Sequence, residues 1–163
     1  MIVLSTNLGD ITIELDLEQA PVSSKNFLKY CNEGFFEGTI FHRVIAGFMI
    51  QGGGYTENLL EKETHAPIVN EANRGLKNTI GSIAMARTDA PHSASSQFFI
   101  NLDDNDFLDY TATTNQGWGY AVFGKVTAGM DTVNAIAQVK THSYLGLDDM
   151  PVTAIVIEKV TVK

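Results

Sequence analysis

The chain has 163 residues, 44% hydrophobic and 18% charged, with a formal net charge of −8. That length and composition suit one globular domain with a single core and exclude a disordered or fibrous chain. The acidic balance, with no run of Lys or Arg, argues against a nucleic-acid surface, because binding to phosphates rests on clustered cations.

The opening "MIVLSTNLGDITIELD" alternates apolar and polar residues on both sides of "TNLGD", with Ile11, Ile13 and Leu15 spaced by two, and predicts a β-hairpin. The same N-terminus has neither the positive nor the apolar region of a signal peptide, and no apolar run approaches the ~20 residues of a membrane span. "APVSSKNFLKYCNEG" predicts a helix: Pro21 suits the first turn, Val22, Phe27, Tyr30 and Cys31 fall near one face, and Gly34 supplies the stop. "TIFHRVI" and "FMIQG" predict two short strands joined around Ala46 and Gly47, and residues 54 to 79 a long irregular excursion. Strands resume at "GSIAMA", "SQFFINL" and "YAVFGKV"; "GMDTVNAIAQV" predicts a second helix and "AIVIEKVTVK" a final strand. With no linker or repeat, one domain over residues 1–163 is expected, a β-barrel or sandwich with helical caps. The one cysteine, Cys31, cannot form an internal disulfide; this and the missing signal sequence point to the cytoplasm.

Familiar catalytic sites are not apparent. His42, His65, His92 and His142 lack metal-ligand spacing, so no metal or organic cofactor is expected. No serine sits in a G-x-S-x-G elbow, and "QGGG" lacks the lysine of a phosphate loop and suggests a turn.

What stands out is an arginine inside "FHRVIAGFMIQGGG", with no acidic residue in the segment to pair with it. Strand alternation puts Phe41, Arg43 and Ile45 on one face, Met49 and Gln51 together on the next strand, and Gln97 with Phe99 opposite Phe98 and Ile100. Singly, each has an ordinary explanation: Phe and Met as packing, Arg as a solvated edge residue. Together they describe an apolar pocket with a few placed polar groups.

"FHRVIAGFMIQGG", "GSIAMA", "SQFFI" and "VFGKV", in this order and at these intervals, resemble the cyclophilin family of peptidyl-prolyl cis/trans isomerases over nearly the whole chain, most of all its compact bacterial members. The resemblance implies a closed eight-stranded antiparallel barrel with two helices and a groove on its outside. It assigns Arg43 as the catalytic arginine, Phe48 and Met49 to the proline-ring pocket, and Gln51, Ala86, Gln97, Phe99 and Leu108 to the groove. Phe107 stands where the best-known members have tryptophan, Tyr120 where they have histidine, and Arg87 where they have asparagine. The partners implied are proline-containing peptides and unfolded protein clients, with cyclosporin A bound at reduced affinity; no nucleic acid or membrane is expected, and the chain should be a monomer.

Chemistry agrees with that set of residues. Rotation about a peptide bond costs ~18–20 kcal/mol, and no bond need break, so a catalyst need only bind the twisted amide better than either planar isomer. The pyramidal nitrogen of a twisted amide regains a lone pair that a fixed guanidinium can meet. A groove that held both isomers equally would bind without catalysing, and the sequence leaves that binding module as the alternative.

Overall fold

The computed structural model describes residues 1–163. In chain order it contains β1 (Ile2–Thr6), β2 (Gly9–Leu15), α1 (Pro21–Asn32), β3 (Arg43–Ile45), β4 (Met49–Gly52), β5 (Ser82–Met85), β6 (Phe98–Asn101), β7 (Val122–Ala128), α2 (Met130–Ala137), β8 (Thr141–Tyr144), β9 (Leu147–Pro151) and β10 (Ile157–Val162). Eight strands form one antiparallel sheet in the order β10-β1-β2-β7-β5-β6-β4-β3, and β8 and β9 form a separate hairpin.

The sheet curls around its core because successive residues alternate between an inner and an outer face. Ile50, Ile83, Phe98, Ile100 and Phe123 point inward into a cluster with Ile2, Leu4, Ile11 and Ile13. The stripe of each helix joins them, Phe27 and Tyr30 from α1, Val133 and Ile136 from α2. Phe98 is the hub of an aromatic group, meeting Phe27 and Phe36 edge-on at 5.3 and 5.4 Å, a favoured ring geometry.

Two local solutions secure α1. Gly34, at φ 72°, ends the helix in a Schellman turn: its N–H donates to Cys31 and that of Phe35 to Tyr30, and the Tyr30 and Phe35 rings meet at 4.7 Å. At the other end no local side chain caps the helix; Glu71, from the long excursion, accepts the N–H groups of Val22 and Ser23 and the Ser23 hydroxyl.

Two expectations need correction. The sheet is a strongly curled half-barrel, and "closed" overstates it: β3 and β10 do not pair as strands, and the edges meet through flanking backbone, with Gly38 and Phe41 donating to Ile157 and Ile155 at 2.8 and 3.0 Å. Phe41 also does not share a face with Arg43. Phe41 and Val44 both enter the core although three residues apart, because Phe41–His42 lies outside any strand and shifts the phase of the alternation. Arg43 is thereby turned outward.

Candidate active site

The site is built on the outer face as a transverse row. Arg43 pairs with Gln51, Gln51 with Phe99, Phe99 with Ala84, and Ala84 with Val122. Met49, Ala84, Phe99 and Val122 form a second small apolar cluster on this face, with Ile45, Phe48, Ala86, Leu108 and Tyr120 packed around it. The row therefore gives a floor of buried apolar groups with a guanidinium and an amide at one end.

Above that floor lies a groove of about 240 Å³ lined by Arg43, Phe48, Met49, Gln51, Ala86, Arg87, Phe99, Leu108 and Tyr120. Eight of the ten residues assigned from the sequence line it. Gln97 lies next to it, in an adjoining polar pocket of about 340 Å³ that shares Gln51, Ala86 and Arg87 with the groove. Phe107 stands on the outer rim, 70% exposed, with its ring stacked on Phe48 at 5.7 Å. A larger depression of about 650 Å³, lined by Glu14, Asp16, Lys77 and Lys125 among others, holds none of these residues and mixes charges of both signs.

The polar groups are held in line. Arg43 Nη1 donates to Gln51 Oε1 at 3.3 Å, and Gln51 Nε2 donates to Gln97 Oε1 at 3.0 Å, so both faces of the Gln51 amide are fixed. Arg43 has no other hydrogen-bond partner and no carboxylate within ion-pair distance, which leaves most of its five N–H donors free. Gly53 and Gly54 make room for this arrangement. A Cβ on Gly54 would come within 2.6 Å of the Gln97 side chain, and one on Gly53, at φ +91°, within 2.8 Å of the Phe98 ring.

Tyr120 forms one wall. Its ring meets Phe99 edge-on at 5.7 Å, and the Arg87 guanidinium lies 4.6 Å from its centroid. Arg87 is in turn tied to backbone carbonyls, Nε to Gly119 at 3.0 Å and Nη1 to Thr88 at 2.8 Å. Only the departure of Arg87 from the family pattern was visible in the sequence; its role in the wall was not. Trp118 packs between His92 and Tyr110, away from the groove.

Neither His42, next to Arg43 in the chain, nor Cys31, on α1 in the main core, supplies proton or nucleophilic chemistry to the groove. His42 is buried against Tyr55, its Nδ1 has no partner, and burial, then the Arg43 charge, hold its pKa down at about 4. Burial pushes the Cys31 thiol up to about 12, which keeps it protonated.

A curled antiparallel sheet carrying two helices and an external apolar groove edged by an arginine defines the cyclophilin class of protein. The chain belongs to the cyclophilin-type peptidyl-prolyl cis-trans isomerase family: the model of that family, "Cyclophilin type peptidyl-prolyl cis-trans isomerase/CLD", matches residues 1–162. It is 55% identical over 162 residues to peptidyl-prolyl cis-trans isomerase B of Escherichia coli, covering 99% of both chains. It is 53% identical over 163 residues to a peptidyl-prolyl cis-trans isomerase of Acinetobacter baylyi, covering 100% of this chain and 85% of that one. The fold is similar to that of a Cryptosporidium parvum cyclophilin-type isomerase crystallised in the presence of the dipeptide Ala-Pro, with a TM-score of 0.81, 28% identity and coverage of 99% and 98%. The protein is a peptidyl-prolyl cis/trans isomerase, and it catalyses rotation about X-Pro bonds.

Proposed function

We propose that this activity resides in the Arg43 groove and works by preferential binding of the twisted amide. The observation that carries the proposal is the state of Arg43: a guanidinium without a carboxylate, oriented by one amide, at the edge of a buried apolar floor. An X-Pro bond left alone interconverts over tens to hundreds of seconds because rotation costs the amide its resonance. In the twisted state the proline nitrogen is pyramidal and carries a lone pair that the planar amide lacks. The free N–H donors of Arg43 meet that lone pair, an interaction present in the transition state and absent from either ground state.

The other residues hold the two halves of the substrate. Phe48, Met49, Phe99 and Leu108 receive the pyrrolidine ring, and Ala86, Phe107 and Tyr120 extend the wall. Gln51, fixed between Arg43 and Gln97, keeps one amide N–H for the carbonyl before proline. Ala-Pro, present with the Cryptosporidium parvum relative, has the minimal structure that such a groove would accept. The proposed clients are proline-containing segments of unfolded chains, which reach the external groove without a lid having to open. We place the protein in the cytoplasm, as a single-domain monomer; no helix is long and apolar enough to cross a membrane.

Exchange spectroscopy on an unstructured X-Pro peptide tests the site. Catalytic amounts of the parent should speed cis/trans exchange, and Arg43→Ala should bind the peptide while losing most of that acceleration. Equal acceleration by both proteins would place the chemistry elsewhere.

A further inference from the structure

Beside the apolar floor of the groove lies a set of buried amides that the mechanism above does not use. Asn78, Asn101 and Asn105 are 1%, 0% and 4% exposed. Asn101 pairs with Met49 across β4 and β6, so it faces the same side as the apolar floor. Buried amides are costly unless every donor is satisfied, and here all are.

The bonds run in one direction. Asn105 Nδ2 donates to the Phe48 carbonyl at 2.9 Å and to Asn101 Oδ1 at 2.8 Å. Asn101 Nδ2 donates to Asn78 Oδ1 at 3.1 Å and to Ser82 Oγ at 2.8 Å. Asn78 Nδ2 ends the chain by donating to the carbonyls of Leu108 and Tyr120, both at 3.2 Å, and to Asp109 Oδ1 at 3.1 Å. The backbone joins the set: Asn105 N–H donates to the Asn78 carbonyl, and Asn78 N–H to Asp109 Oδ1.

The three carbonyls at the ends of this chain belong to Phe48, Leu108 and Tyr120, groove residues outside any strand ladder; Tyr120 N–H also donates to the Leu108 carbonyl and Leu102 N–H to that of Phe48, both at 2.9 Å, so the amides are what links the Phe48 turn to the already joined Leu108–Tyr120 pair. Each segment is otherwise irregular: the turn between β3 and β4, the short turn at Asp106–Leu108, and the loop before β7. On the basis of the groove assigned above, we infer that Asn78, Asn101 and Asn105 are positioning residues for the isomerase, a continuous amide relay that sets the distance between Phe48 and the Leu108–Tyr120 wall and so fixes the width of the proline-ring pocket. The relay touches neither Arg43 nor Gln51. It acts on ring binding, which is equal in ground and transition states, and leaves the stabilisation of the twisted amide alone.

That division gives the test. Asn105→Ala removes the side-chain donor to the Phe48 carbonyl, leaving only the Leu102 N–H on it, and breaks the link to Asn101; Asn105→Ser keeps one hydroxyl donor. Steady-state kinetics on an X-Pro peptide should show KM raised about five- to tenfold in Asn105→Ala, the loss of one buried hydrogen bond expressed as a binding ratio. The value of kcat should stay within about twofold of the parent, and Asn105→Ser should recover part of KM. Parental KM in a folded variant, or a fall in kcat with KM unchanged, overturns the inference, because merely structural damage reduces the active fraction and not the affinity. Where Asn105→Ala gives no cooperative melt, Asn105→Ser alone carries the kinetic test. In the parent, the Nδ2 protons of Asn78, Asn101 and Asn105 should exchange slowly with solvent; rapid exchange also overturns it. Arg43→Ala in the same assay separates the two readings: parental kcat there refutes the groove mechanism, whatever Asn105 does.

Discussion

Arg43 and Gln51 are direct partners across the β3–β4 ladder, and their side chains remain in contact, Nη1 to Oε1 at 3.3 Å. The pairing makes orientation of the guanidinium a property of the sheet rather than of a loop. Arg43→Ala should leave the thermal transition nearly unchanged and lower kcat/KM by roughly 10²- to 10³-fold, the usual loss for one donor aimed at a transition state. Arg43→Lys should recover little, since a point ammonium cannot serve Gln51 and the substrate nitrogen with the same planar fork. Parental turnover by Arg43→Ala in the exchange assay refutes the mechanism.

Two neighbouring glycines should behave differently when given a methyl group. In Gly53→Ala the new Cβ meets the Phe98 ring at 2.8 Å on a backbone at φ +91°, and neither yields easily. Denaturation should show a loss of about 2–4 kcal/mol. In Gly54→Ala the nearest atoms to the Cβ all belong to the flexible Gln97 side chain, from 2.6 Å. That variant should melt close to the parent yet lose roughly three- to tenfold in kcat/KM, because a displaced Gln97 releases Gln51. Equal stability losses in the two would contradict this account of the glycine run.

The residues that alternate within regular strands were legible in the sequence. Phe98 and Ile100 against Gln97 and Phe99 follow from a period of two, and the end of α1 follows from Gly34. Where the chain leaves regular structure the pattern fails. Phe41–His42 shifts the phase, so that Phe41 was assigned the wrong face. The β8–β9 hairpin was missed because its strands are mostly exposed and polar and its turn is Leu145-Gly146; both residues have positive φ, a conformation normally signalled by Asn or Gly at the first of the two. The Arg87–Gly119 contact and, apart from Asn101–Asn105, the side-chain bonds of the amide relay join residues that lie 19 to 57 positions apart, and no local periodicity reports such contacts.

Turnover should be insensitive to chelation. No group of three or more His, Cys, Asp or Glu side chains is placed to hold a metal ion, and guanidinium, amide and apolar groups can perform the proposed step unaided. Equal exchange rates before and after EDTA and desalting are expected; a loss restored by a divalent ion contradicts this.

Activity and stability should respond differently to pH. The proposed step transfers no proton, so kcat/KM should be flat between about pH 6 and 8. His42 acts on stability instead. Its pKa in the folded protein, about 4, lies below the ordinary 6.5, so between these values the unfolded chain takes up a proton that the native state refuses. The His42 contribution to stability is therefore fully present above about pH 6.5 and falls as pH drops towards 4, on the order of 1 kcal/mol per pH unit. Chemical denaturation of His42→Phe across pH 4–7 should show a shallower slope than the parent, and an unchanged slope would remove His42 from the account.

Cyclosporin A, which we propose binds over the same groove, tests the aromatic rim at Phe107. The Phe107 ring stacks on Phe48 and is 70% exposed, so it offers contact area to a ligand lying over the groove but has no hydrogen-bond donor. An indole at this position would present its N–H from the same exposed rim, and one such bond is worth roughly 0.5–1.5 kcal/mol. Added ring area brings the expected gain in affinity for Phe107→Trp to about tenfold, with isomerase activity changed less because the proposed seat of the proline ring is Phe48, Met49 and Phe99 beneath. Trp118 cannot substitute from where it stands, its ring edge-on to His92 at 4.8 Å and to Tyr110 at 5.4 Å. Calorimetry should therefore find tighter cyclosporin binding in Phe107→Trp and nearly parental binding in Trp118→Phe. Weaker binding in Trp118→Phe with no gain in Phe107→Trp would put the drug against the Trp118 loop and move the aromatic rim away from Phe107.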